Sequence, residues 1–250
     1  MATDAPALGG TRNAKAYEAY LRGKALYNLS KDEATDREAK AMFENAIAGD
    51  AGFALAHAAL SRVLSSMASL HVPASEIKPT FAAAMRQGRE AVRLAPTLAE
   101  GHIALGFATF AGLIDAKRAR PSYEAAYRHG RGNGDILLAY ALFAARSRRP
   151  RTAAAAIRQA LALDPLNARA YRVAGSISFA GRDYAEGVAH YNRALALNPG
   201  MANARAGLAN CLMELGRADE ARKALAAETN AMFRLTGIAI LEHRAGNGSA

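Results

Sequence analysis

Apolar positions recur at helical spacing along nearly the whole chain, broken by short polar turns, so the pattern predicts helices throughout. The segment GRDYAEGVAHYNRALALNP, residues 181–199, shows how those helices meet: Gly187 and Ala194 stand where a larger side chain would bury more surface. Gly175 is followed after twelve residues by Gly187, after four more by Tyr191, after three by Ala194 and after five by Pro199. Ala141, Ala153, Ile157, Ala160 and Pro165 keep the same intervals upstream, and Ala209, Ala221 and Leu225 keep them downstream until Glu228 ends the run. The period is 34 residues. Nearer the N-terminus the second-helix anchors persist as Tyr123 and Ala126, as Ala84, Gly88, Ala91 and Pro96, and as Ala39, Phe43 and Ala46. Ala46, Ala91, Ala126, Ala160 and Ala194 are thus 45, 35, 34 and 34 residues apart, which predicts six helix pairs, the second enlarged by about eleven residues.

Gly or Ala at a helix crossing lets two backbones approach, and the aromatic four residues on fills the space beside them. Leu at Gly175 or Ala194 is expected to overpack the crossing, at a cost of about 1–3 kcal/mol. Pro96, Pro165 and Pro199 each follow a helix end, where a missing N–H and a fixed φ stop the helix. The expected fold class is all-α, a right-handed α-solenoid over residues 14–250. Its pairs span 17–52, 53–97, 98–132, 134–167, 168–201 and 202–230, residues 231–244 begin a seventh, and residues 1–13 form a flexible leading segment. Each pair is expected to touch mainly its neighbours, giving one array without a single centre.

The pattern resembles the tetratricopeptide repeat, a helix-turn-helix unit whose signature is matched best by Tyr171, Ala174, Gly175, Gly187, Tyr191 and Pro199. The family's first-helix aromatic is replaced by His57, His102, Leu137 and Arg205, which implies looser packing there. The resemblance implies a scaffold that grips other proteins. The opening AYEAYLRGKALYNL, the enlarged second repeat and the closing AMFRLTGIAILEHRAGN are similar to the C-terminal repeat region of bacterial proteins carrying an adenylate-cyclase-like, winged-helix or TolB-like domain. That likeness implies a module cut from a longer signalling or regulatory protein.

The side chains supply no catalytic constellation, so no enzyme, cofactor or metal is expected. The six His residues never fall in an HxxxH or HxxEH pattern, and Cys211 has no partner cysteine. GRGNGD at 130–135 superficially resembles a phosphate-binding loop, but it follows a helix and no strand precedes it, so it is read as a turn between repeats. MATDAPALGG lacks the basic start and apolar run of a signal peptide, and the uncharged stretch 101–114 is too short to cross a bilayer. A soluble, cytoplasmic chain is expected, or a periplasmic one if an anchor lies upstream.

What remains is surface. First helices line the concave face of such an array, and helical offsets assign Ile103, Phe107, Phe110, Leu138 and Leu142 to an apolar middle. Arg169, Arg172, Ser176, Asn203 and Asn210 follow as a polar C-terminal half. A helix or extended peptide would lay apolar anchors over Phe107, Phe110 and Leu142 while an acidic group meets Arg169 and Arg172. Ile103, Phe107 and Leu138 read equally as packing between repeats. Arg172 with Asn210 is similar to the carboxylate-gripping set of chaperone-binding members of the family, but Ser176 stands where an Asn is wanted.

The net charge is +10, and ten basic residues between 117 and 158 face only Glu124 and Asp135. Lys117, Arg118 and Arg120, and again Arg146, Arg148, Arg149 and Arg151, fall at helix-helix turns and form a basic edge suited to an acidic protein. No aromatic residue alternates with those at 146–151, which disfavours nucleic acid, and exposed arginines also accord with the composition of a GC-rich genome. The sequence therefore points to a protein- or peptide-binding module, with a self-associating (homo-oligomeric) or regulatory module that positions an attached signalling domain as the alternative, and nucleic-acid or anionic-surface binding through the basic edge as a weaker one.

Overall fold

A computed structural model describes residues 9–29, 32–201, 203–228 and 231–244, and these contain thirteen α-helices and no strand. The helices group into two compact units, Met1–Arg131 and Gly132–Ala250, divided within the glycine-rich turn at 130–135. The leading residues 1–8 lie outside the described part.

In the first unit α1 (Ala14–Leu29) pairs with α2 (Glu33–Gly49), α3 (Ala54–Leu70) with α4 (Ala74–Leu94), and α5 (Ala99–Leu113) with α6 (Ala116–His129). In the second, α7 (Gly134–Arg146) pairs with α8 (Pro150–Leu163), α9 (Ala168–Ala180) with α10 (Tyr184–Leu197), and α11 (Ala204–Glu214) with α12 (Ala218–Ala226); α13 (Ala231–Arg244) packs on α11 and α12. Within each unit successive first helices also touch: α1 with α3, α3 with α5, α7 with α9, α9 with α11 and α11 with α13. No two second helices touch among the described residues, so the first helices form the inner side of each stack.

The small residues are where close approach demands them. Ala46, Ala91, Ala126, Ala160 and Ala194 are fully buried, and their carbonyls accept the N–H groups of residues 50, 95, 130, 164 and 198 at 2.8–3.1 Å, closing each second helix. A Cβ on Gly175 would stand 2.8 Å from the Tyr191 ring, and one on Gly187 would stand 2.7 Å from the Cys211 sulfur. Tyr191 also fills the space over Gly207, so one buried ring joins the first helices of its own and the next pair.

A second beat lies in the turns inside the pairs. Ile114, Arg148, Arg182 and Gly216, spaced 34 residues apart, have φ of 52°, 57°, 64° and 74°. Only the last is the residue type that adopts this left-handed conformation without steric cost. Asp115, Asn133, Asn167 and Asp183 cap α6, α7, α9 and α10 by accepting first-turn N–H groups.

The positions expected to pack loosely differ from that reading. Leu137 and His57 are buried, and the polar replacements tie down the turn before their helix. His57 Nε2–H donates to the Ala51 carbonyl at 3.1 Å and His102 Nε2–H to that of Pro96 at 2.8 Å. Arg205 reaches the Pro199 carbonyl at 2.7 Å, and Arg234 reaches that of Glu228 at 3.0 Å. Each bond spans six residues, so a polar side chain fastens the turn that an aromatic would cover. The enlarged second repeat is fastened differently: the buried carboxylate of Asp36 on α2 accepts from Ser66 Oγ at 2.9 Å and faces His71 Nε2 at 3.4 Å, holding the end of α3. No helix among the described residues is long and apolar enough to cross a membrane.

Candidate functional site

An aromatic cluster ties α1 to the buried core of the first unit. Tyr20 on α1 lies 5.1 Å from the Phe53 ring and 6.0 Å from that of Phe43, Tyr17 stacks on it at 6.3 Å, and Arg62 of α3 stands 5.5 Å over Tyr27. Burial pushes the Tyr20 phenol above the usual tyrosine range, helped by Glu100 and Tyr17 and opposed by Arg62. Sequence reasoning missed this cluster, although the spacing of Tyr17, Tyr20 and Tyr27 by three and seven residues signals one helix face. Phe107 and Phe110 on α5 are half-buried, whereas Ile103 is only 7% exposed and belongs to the core. Lys117, Arg118 and Arg120 are exposed on α6, and Arg118 pairs with Asp115 at 3.4 Å. An open cleft of about 500 Å³ runs between α1 and α2 over Ala25, Leu26, Ala41 and Met42, with Arg22 and Glu38 at its rim.

In the second unit Leu138, 2% exposed, is likewise core, and Leu142 is half-buried. For Ile103 and Leu138 the packing reading is the one their burial supports, with one cause: adjacent first helices touch, so a residue offset toward the inner side can be covered by its neighbour. Arg169 is exposed on α9 while Arg172 and Ser176 are half-buried one and two turns on. Ser176 Oγ lies 2.9 Å from the Tyr191 hydroxyl and donates to the Arg172 carbonyl at 3.2 Å. Burial holds the Arg172 guanidinium below its usual range, with Tyr191 opposing and Arg169 adding to the shift, and no acidic side chain pairs with Arg172 among the described residues. Asn210 is half-buried on the neighbouring α11, whose N-cap residue Asn203 is left-handed at φ 64°. The arrangement offers a partly desolvated cation on an inner helix with hydroxyls beside it.

Arg146, Arg148 and Arg151 are exposed around the α7–α8 turn, and Arg149 is half-buried at the N-cap of α8. No group of three or more His, Cys, Asp and Glu suited to a metal ion occurs among the described residues. Cys211 is buried on α11; burial, with Glu214 second, pushes its thiol up to about 11, so it stays protonated and unreactive near neutrality.

Stacked antiparallel pairs with small residues at their crossings, first helices inward, define a helical-repeat scaffold. Residues 144–202 and 178–230 match sequence profiles of the tetratricopeptide repeat. The chain shares its fold with a thermophilic tetratricopeptide-repeat protein of Thermus thermophilus at 20% identity and a TM-score of 0.65, over 79% of this chain and 99% of that one. It is also similar to YrrB, a repeat protein with an unusual peptide-binding site, at 18% identity and 0.55, over 78% and 97% of the two chains. The type IV pilus biogenesis factor PilW aligns at 15% identity and 0.67, over 86% and 92%. No curated protein matches the sequence. The fold is thus all-α and of the tetratricopeptide-repeat solenoid class, as the periodicity predicts.

Proposed function

We propose that the protein is a non-catalytic binding module that holds a peptide or protein segment against the inner first helices of its second unit. The observation that carries this reading is Arg172, a half-buried guanidinium with no acidic side chain paired to it among the described residues, beside Arg169 and Ser176 on α9, with Asn210 half-buried on the neighbouring α11. A desolvated cation is costly unless an anion completes it, and an acidic group on a bound segment does so. The same fold carries a peptide-binding site in YrrB, and the likeness of several phrases to repeat regions of bacterial cyclase-like and winged-helix proteins fits a regulatory setting. Selection of displayed peptides on the full chain tests the reading. Acidic sequences should be enriched, and Arg172→Gln should weaken them about tenfold. Selected peptides that bind Arg172→Gln unchanged would overturn it.

Self-association is a second reading, favoured by apolar side chains left exposed at Tyr17, Leu21 and Leu29 on α1 and at Met232, Leu235 and Ile240 on α13. Light scattering on the chain and on Leu21→Glu and Leu235→Glu decides it: an oligomer that dissociates in either variant supports it, and a monomer throughout removes it.

A further inference from the structure

Several exposed arginines of this protein pair with an acidic neighbour three or four residues away. Arg22 pairs with Glu18 at 2.7 Å, Arg37 with Glu33 at 2.6 Å, Arg93 with Glu90 at 2.6 Å and Arg217 with Glu220 at 2.7 Å. The α7–α8 hairpin breaks that habit. Between Asp135 and Asp164 there are five arginines and no acidic residue. Arg146, Arg148, Arg151 and Arg158 are exposed and make no ion pair among the described residues.

Two of these side chains share one face of a helix, and the other two stand at the turn that leads into it. Arg151 and Arg158 are seven residues apart on one face of α8, about 10 Å along the axis. Ala155 and Ala162 lie between and beyond them, also exposed, so nothing bulky shields the guanidinium groups. Past Arg158, at the C-terminal end of α8, Leu163 is 49% exposed and Leu166, in the following turn, is 69% exposed.

We propose that this hairpin docks an acidic protein segment along Arg146, Arg148, Arg151 and Arg158, with apolar residues at one end of the segment resting on Leu163 and Leu166. The charge complementarity is specific to carboxylates or phosphates, since a guanidinium fork matches both. The leucines separate the two: a phosphate backbone leaves them unused, and no aromatic side chain stands between the arginines to stack a base. This surface is independent of the Arg172 site, and either can fail without the other.

The test uses the full chain and a fluorescein-labelled glutamate-rich peptide ending in two leucines, followed by anisotropy, with duplex DNA as the second probe. The peptide should bind, and the Arg148→Gln/Arg151→Gln/Arg158→Gln variant should bind it at least about tenfold more weakly. Leu166→Ser should weaken it further. The substituted arginines are exposed, so thermal melts of the variants should match the parent. Unchanged affinity in the triple variant overturns the proposal, and so does loss only in Arg172→Gln, which would put the peptide on α9. Tighter binding of duplex than of peptide, lost in the triple variant, also overturns it and marks a nucleic-acid surface.

Discussion

In the second unit the repeat is kept to the residue, with left-handed turns at Arg148, Arg182 and Gly216 and the Gly175–Tyr191 contact at its centre. The first unit spaces its anchor alanines by 45 and 35 residues and carries a 21-residue α4 with Pro79 inside it. Yet the same kind of contact recurs there. A Cβ on Gly106 would stand 2.9 Å from the Tyr123 ring, and one on Gly112 would stand 2.8 Å from Phe81. What a helical repeat must preserve is the meeting of a small residue with a large one, and the length of chain between meetings is free. One glycine of the first unit differs in what it meets. Gly175 meets a side chain, whereas Gly88 lies against the backbone of α5, its missing Cβ 2.8 Å from the Leu105 Cα.

That contrast sets the largest expected effect. Gly175→Ala and Gly88→Ala should each destabilise the protein by about 1–3 kcal/mol in urea unfolding, since close-packed interiors do not absorb an added methyl freely. Trimming the opposing side chain separates them: Tyr191→Leu should recover part of the loss in Gly175→Ala, while Leu105→Ala should recover none in Gly88→Ala, because the obstacle is backbone. Equal rescue in both units would break the comparison.

The next effect belongs to the second unit. The Cys211 thiol, at about 11 in the folded chain against an ordinary value near 9, binds its proton more tightly when folded. Its contribution is therefore complete below pH 9 and is lost as the pH climbs toward 11, by about 3 kcal/mol in all. Thermal melts across that window should fall more steeply for the parent than for Cys211→Ala; parallel slopes would count against a buried thiol.

The smallest effect sharpens the comparison at the turns. Ile114 of the first unit is β-branched, left-handed and 88% exposed, so Ile114→Gly removes strain and forfeits little burial. It should stabilise by about 1 kcal/mol, Arg182→Gly by less, and Gly216→Ala should destabilise by about 1 kcal/mol. Urea midpoints moving the other way would show that the fixed turn geometry is not where the strain resides.

Much of this was legible in the sequence because small and aromatic residues at a fixed interval state a contact between neighbouring helices, which is a local, one-dimensional constraint. The left-handed turns were not legible, since Ile and Arg do not signal that conformation. The tie between Asp36, Ser66 and His71 was hidden for another reason: Asp36 is 30 and more residues from the other two with no motif joining them. Ile103 and Leu138 stood open between groove and core because helical offset gives direction, and direction does not reveal whether a neighbour covers it.

Helix positions, the pairing order and the crossing residues follow from the amino-acid order alone, since each depends on residues within a repeat or the next. Which inner side chains stay open to a partner, and which cations lack a counter-charge, was decided only by the packed structure. Exposure and desolvation depend on every element around a group, and no local pattern contains that sum.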